Sequence, residues 1–113
     1  MGRAVTADFA SRGAMEKRRL AGTLAIEPDT EVVAVMVRDH VTNVTGVLRV
    51  CHGVDGVVNT AEPIRTTGYS AYDQRLADEI KRTWKFSSFL VSGSPAPMCS
   101  PVTFVYSVPP AQT

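Results

Sequence analysis

Cys51 and His52 are adjacent, and these are the residue types that a thiol nucleophile and its general base require. Alternating apolar residues predict an extended strand over residues 47–52, and neighbouring side chains on a strand point to opposite faces. The thiol and the imidazole therefore do not easily meet, and we do not favour a cysteine-dependent enzyme. We expect the chain to have no catalytic residues.

Cys99 is the other cysteine of the chain. Neither cysteine belongs to a C-x-x-C or H-x-x-x-H pattern, so we expect no metal and no other cofactor. Judged from the residues alone, two buried thiols and one disulfide remain equally open.

The composition describes one small globular domain. The chain has 113 residues, 44% of them hydrophobic, and its 12 Lys and Arg nearly balance 11 Asp and Glu, for a net charge of +1. That balance argues against a nucleic-acid partner. No apolar run reaches the roughly 18 residues of a membrane span, and the start lacks the apolar core of a signal peptide. We therefore expect either a cytosolic protein or a piece of a longer exported chain.

The first half of the chain predicts a short helix and a hairpin. Residues 28–39 have apolar positions that share a helical face, although their valines favour a strand, so both readings stay open and we lean to the helix. Residues 40–46 read as a loop. Asp55-Gly56 between apolar runs predicts a hairpin turn, with residues 57–62 as the returning strand and Pro63 marking an edge.

The second half predicts a helix from Ser70 to about Trp84, with Ser70 and Asp73 as its capping box. An extended piece at 86–91, a turn-rich loop at 92–97 and a strand at 102–106 follow. The predicted core consists of the apolar residues that recur at helical or strand spacing, namely Leu48, Val50, Leu76, Ile80, Trp84 and Phe104.

The order of these features resembles the C-terminal domain of TonB-family energy transducers. The resemblance covers residues 46–107. A further similarity lies at residues 26–28, where the family has a Tyr-Pro. The matching segments are Asp-Gly-Val-Val at 55–58, Gly-Tyr-Ser at 68–70, Thr-Trp-Lys-Phe at 83–86, the Gly- and Pro-rich loop at 91–97 and the strand at 102–106.

The resemblance implies an α+β fold in which a three-stranded antiparallel sheet has one or two helices packed on one face. It divides the chain into a flexible, basic leader or linker at 1–21, a TonB-C-terminal-like domain at 22–108 and a disordered tail at 109–113.

The implied fold offers a register for the cysteines. If residues 47–52 and 99–106 are antiparallel neighbours and Cys51 faces Cys99, then Arg49 faces Pro101 and Val47 faces Thr103. One register then places the apolar residues on one face and a disulfide on the other. This favours a Cys51–Cys99 disulfide and an oxidising compartment, the periplasm.

The same fold leaves the last strand at an edge of the sheet, with its outer backbone groups vacant. In the family this strand pairs with the TonB box, an extended segment at the N-terminus of an outer-membrane receptor, and couples inner-membrane energy to transport by strand addition. The implied partner-binding residues are Val102, Thr103, Phe104, Val105, Tyr106 and Ser107.

The alternative keeps the fold and changes the role. The chain would be a structural or scaffold module of a cell-envelope machine, with another envelope protein as its partner or with a homodimer formed through the edge strand.

Overall fold

The described part of the chain contains two helices and eight strands. The computed structural model describes residues 5–9, 15, 18–22 and 24–110. The helices are α1 (Thr30–Arg38) and α2 (Ser70–Thr83). The strands are β1 (Val5–Phe9), β2 (Arg19–Ala21), β3 (Asn43–His52), β4 (Val58–Arg65), β5 (Lys85–Phe86), β6 (Phe89–Val91), β7 (Ser94–Ala96) and β8 (Met98–Ser107).

The main sheet is antiparallel, with the strand order β1-β8-β3-β4. Strands β4, β3 and β8 are the three that the sequence predicts, so the predicted α+β class with a three-stranded antiparallel sheet is confirmed. Strand β1 adds a fourth member beside β8. Among the described residues, two short pairs complete the strands, β2 with β5 and β6 with β7.

The register between β3 and β8 is the one expected from the cysteines. Cys51 pairs with Cys99, Arg49 with Pro101 and Val47 with Thr103, and the pairing continues without a bulge from Asn43–Ser107 to His52–Met98. Because side chains alternate along a strand, this register places the apolar residues of both strands on one face.

The hairpin between β3 and β4 turns at the predicted Asp-Gly. Gly56 has a φ of 81°, in the left-handed region that glycine adopts without strain. The Gly53 amide donates to the Val57 carbonyl across the turn (3.0 Å), and the Val57 amide donates to an Asp55 carboxylate oxygen (3.0 Å). The predicted loop at 40–46 is too long, because β3 begins at Asn43 and Val44 is buried.

Residues Thr30–Arg38 form a helix, which decides between the two readings left open for this segment. Met36 is fully buried, and three valines of the helix are partly buried against the same core. Tertiary packing of an apolar face therefore outweighs the strand preference of its β-branched residues.

Helix α2 starts differently from the predicted capping box. Tyr69 occupies the N-cap position, and Ser70 is the first helical residue. The carboxylate of Asp73 does not cap the helix. It accepts hydrogen bonds from the Thr67 amide (2.9 Å), the Thr67 hydroxyl (2.6 Å) and the Thr66 hydroxyl. These bonds connect the segment that follows β4 to the helix.

The core lies between one face of the sheet and the two helices. All predicted core residues are buried, and Trp84 contacts Phe86 and Phe104 with ring centroids 6.2 and 6.1 Å apart. The Tyr72 ring meets the edge of Tyr106 at 5.9 Å, and its hydroxyl donates to the Ile26 carbonyl (2.8 Å). Burial raises the pKa of the Tyr72 phenol well above its ordinary value.

The predicted flexible leader is wrong for the described residues within 1–21. Residues 5–9 and 19–21 are strands, and Met15 is fully buried in the core cluster. The rest of the predicted leader, 1–4, 10–14 and 16–17, lies outside the described residues. Within the predicted tail, Pro109 and Pro110 follow β8 without regular structure, and 111–113 also lie outside the description.

Candidate interaction edge

The disulfide identifies which backbone groups of β8 face away from β3. The Cα atoms of Cys51 and Cys99 are 4.0 Å apart, which matches a non-hydrogen-bonded antiparallel pair rather than the wider hydrogen-bonded kind. Pair type repeats every second residue, so the backbone groups of Thr103 and Val105 also point away from β3. Pro101 belongs to the same set, and its missing N–H therefore costs the β3–β8 ladder nothing.

The expectation that this outer edge is vacant is wrong. Strand β1 runs antiparallel along it, with Thr6 opposite Val105 and Asp8 opposite Thr103. Because those two β8 residues direct their backbone groups outward, we infer that the Thr6 and Asp8 amides face β8 and that the Ala7 amide faces away. The chain itself therefore supplies the strand that the sequence-based hypothesis assigned to a partner.

Strand β1 is shorter than β8. The pairing between them spans Val102 through Tyr106, whereas β8 begins at Met98. Cys99, near the start of β8, is exposed.

The opposite edge of the sheet is less suited to strand addition. Strand β4 lies there, and it has bulges where it pairs with β3 near Leu48 and His52. Glu62, Pro63 and Arg65 are exposed along it. Bulges, a proline and charges are features that discourage pairing at an edge, so β8 is the better candidate.

The six predicted partner-binding residues divide between two faces of β8. Val102, Phe104 and Tyr106 are buried in the core, so their side chains do not contact a partner. Thr103, Val105 and Ser107 are half-buried on the other face. A strand bound here would be held chiefly through the main chain, with three side chains of β8 beside it.

A polar cluster that the sequence analysis did not identify lies at the other end of β3. His52 is fully buried and its ring stacks on Phe86 (centroids 5.2 Å apart). Its Nδ1 lies 2.7 Å from the Gly53 carbonyl oxygen, and its Nε2 lies 3.0 Å from an Arg18 guanidinium nitrogen. The carbonyl requires a donor and the guanidinium an acceptor, which assigns the proton to Nδ1 of a neutral ring.

Arg18 joins several segments at this end. Its guanidinium also donates to the Ser87 carbonyl (2.6 Å) and to the Met98 sulfur (3.0 Å), and it lies 4.9 Å from the centroid of Phe89. Burial lowers the pKa of this guanidinium. Alternation along β3 places His52 on the face of Leu48 and Val50, and that alternation was the signal that could have located it.

The bonded state of the cysteines bears on the enzyme hypothesis. Cys51 and Cys99 form a disulfide, so neither is a free thiol. Within the described residues, no three His, Cys, Asp or Glu side chains converge into a metal-binding group. Neither described helix has the length and apolar character needed to span a membrane.

Comparisons of the chain with models of protein families, with curated proteins and with solved structures find no match.

Proposed function

We propose that the chain is a TonB-like binding domain of the periplasm, and that it engages an outer-membrane receptor by strand addition at β8. The partner's extended segment would take the place that β1 occupies. Force transmitted through the paired strands would then couple inner-membrane energy to transport. The supporting observation is that the edge of β8 accepts an antiparallel strand over five residues.

The geometry of β8 favours this role over that of a purely structural strand. Its inner side is held by a ten-residue ladder with β3 and by the Cys51–Cys99 disulfide. Its outer side pairs with a strand half as long. The five-residue ladder with β1 has fewer main-chain hydrogen bonds to lose than the ladder with β3, so β1 is the strand that a partner would exchange with.

Exchange of β1 for a partner strand has a thermodynamic consequence. The apparent dissociation constant equals the intrinsic constant divided by the fraction of molecules in which the edge is open. Pairing with β1 therefore weakens partner binding, and a variant that loosens β1 should bind more tightly.

The disulfide supports an oxidising compartment. Such bonds persist in the periplasm and are rare in the cytosol of most organisms. Cys99 is exposed and Cys51 is buried, so a reductant would reach the bond from the Cys99 side.

The function can be tested by titrating the ¹⁵N-labelled chain with synthetic peptides copied from the N-terminal segments of outer-membrane receptors. We expect the amide signals of Thr103 and Val105 to shift on binding. Asp8→Pro removes an amide that faces β8, and it should lower the apparent dissociation constant. Ala7→Pro is the matched control, because the amide it removes faces away from β8.

The outcomes separate clearly. Tighter binding by Asp8→Pro than by Ala7→Pro supports exchange at the edge. If no peptide shifts the β8 amides, either in the unmodified chain or in Asp8→Pro, the proposed coupling to receptors fails. Slow amide exchange in β3 verifies that each variant keeps its fold.

A second candidate function is a scaffold module of the cell envelope that dimerises through the same edge. The observation that favours it is that β1 pairs with β8 at the edge of the sheet, where the same strand of a second copy could take its place. Sedimentation equilibrium distinguishes the candidates. A dimer that Asp8→Pro dissociates and Ala7→Pro does not would favour the scaffold.

A further inference from the structure

Most of the highly exposed large apolar side chains gather at one end of the described molecule. They lie in β2, in the turn between β3 and β4, and in the β6–β7 hairpin. The residues at this end are Leu20, Val54, Val57, Leu90 and Val91, with exposed fractions of 42–70%. Ile64, on β4, is the other large apolar residue with comparable exposure in the described part.

Backbone contacts connect the three segments. The Phe86 amide donates to the Gly56 carbonyl (2.9 Å), and Val57 forms a bridge with Lys85. Strand β2 pairs with β5 on the same segment. The Ser87 amide donates to the Arg18 carbonyl (2.7 Å), just before the β6–β7 hairpin. We name this surface, made of the five apolar residues listed above, the apolar end.

Strand β6 presents its apolar residues outward. Leu90 and Val91 are more than half exposed, and they precede a turn at Ser92-Gly93 in which both residues have positive φ. Two positive φ values in succession are the mark of a tight type I′ turn. The hairpin is therefore a short, well-defined projection rather than an irregular loop.

The charges around the apolar end are mostly positive. Cations at this end come from β2 and its preceding residue, from the last turn of α2 and from β5. They are Arg18, Arg19, Lys81, Arg82 and Lys85, against the carboxylates of Asp55 and Glu79, for a net charge of +3. The whole chain carries +1, so the remaining residues together carry −2.

We infer that the apolar end docks on an anionic phospholipid surface. Aliphatic side chains flanked by lysine and arginine match the boundary between acyl chains and acidic headgroups. A protein partner is the less favoured occupant, because protein interfaces are enriched in aromatic residues and depleted in lysine, whereas these exposed side chains are leucine and valine beside Lys81 and Lys85. This inference does not depend on strand addition at β8.

The inference can be tested by sedimentation of the chain with vesicles of phosphatidylcholine, alone or mixed equally with phosphatidylglycerol. We expect binding to the mixed vesicles that weakens in high salt, because exposed charges are screened. The double variant Leu90→Ser/Val91→Ser should weaken that binding by about tenfold or more, since two aliphatic side chains no longer enter the interface. Ile64→Ser removes an equally exposed apolar side chain from β4, outside the apolar end, and should leave binding unchanged.

A charge variant completes the design. Lys81→Gln/Lys85→Gln should lower binding to the mixed vesicles by roughly thirtyfold, at about 1 kcal/mol per cation near an anionic surface. The inference is overturned if the chain does not bind the mixed vesicles, or if Leu90→Ser/Val91→Ser and Ile64→Ser bind alike. It is also overturned if the double variant abolishes self-association while vesicle binding persists, since the apolar end would then contact a second copy.

Discussion

Cys51 faces Cys99 across the β3–β8 pair, with their Cα atoms 4.0 Å apart and a sequence separation of 48. This disulfide closes a long loop that contains β4, α2 and the β6–β7 hairpin. It therefore joins the central strand to the strand whose outer side carries β1.

Removing this disulfide should destabilise the domain substantially. Replacing both cysteines with serine should lower the free energy of unfolding by about 4 kcal/mol. The reason is that the unfolded chain regains the conformational entropy that a closed loop of this length removes. Urea denaturation of the oxidised chain and the variant measures it. In a strong reductant the two proteins should unfold at similar urea concentrations, and a large remaining difference would contradict the assignment.

Gly56 and Gly93 provide a matched pair of turn glycines. Their φ values are 81° and 82°, so alanine at either position incurs about 1–2 kcal/mol of left-handed strain. A Cβ on Gly56 would lie 1.8 Å from the Phe86 carbonyl oxygen, whereas one on Gly93 meets nothing within 4 Å. Gly56→Ala should therefore cost a further 1–3 kcal/mol, about the cost of overpacking. Equal unfolding midpoints for the two variants would refute the close contact.

Asp73 is a structural carboxylate rather than a surface charge. Asp73→Asn should lower the free energy of unfolding by about 2 kcal/mol, because it weakens charge-assisted hydrogen bonds from Thr66 and Thr67. Asp78→Asn, on an exposed position of the same helix, should change stability by less than about 0.5 kcal/mol. Denaturation curves at neutral pH compare the variants, and a similar cost for both would show that the buried contacts are unimportant.

The raised pKa of Tyr72 predicts that the protein loses stability in alkaline solution. Its pKa is raised in the folded protein, chiefly by burial, so folding favours the neutral phenol. The resulting stability is fully present below the unfolded pKa of about 10, and it falls as the pH rises above that value. Guanidinium denaturation at pH 8 and pH 10.5 should show this fall. Tyr72→Phe should be less stable at pH 8 and should lose less on the way to pH 10.5.

The register of β3 and β8 was predictable once the family resemblance made these strands antiparallel neighbours. Pairing Cys51 with Cys99 is then compatible both with the apolar alternation and with the position of Pro101, and the structure has that pairing. The core face was predictable for the same reason, since a one-residue slip would expose every apolar side chain of a strand.

Strand β1 has only a short signal in the sequence. The segment Val-Thr-Ala-Asp-Phe alternates apolar and polar residues, but it is only five residues long and contains Ala and Asp, which are depleted in strands. Nothing within it indicates that it pairs with β8. Local periodicity does not report such a non-local partner. For this reason the expectation of a vacant edge on β8, which came from the family resemblance, was wrong.

The capping box at Ser70 failed through competition for one side chain. The pattern correctly located the start of α2. The Asp73 carboxylate, however, accepts hydrogen bonds from Thr66 and Thr67 instead of from the amides at the start of the helix. Likewise, the buried environment of His52 depends on Arg18, thirty-four residues away in sequence. Neither relationship is visible within a short window of sequence.

Because β1 runs antiparallel to β8, Val5 lies beside Tyr106, and the chain enters and leaves the sheet at the same end. If the segment before Val5 and the segment after Ser107 were pulled apart, the β1–β8 hydrogen bonds would break one after another in the unzipping geometry. The covalent link between β3 and β8 lies near the far end of the sheet and would resist further separation. Under such a force, β1 would thus detach from β8 first, while the rest of the sheet stays paired.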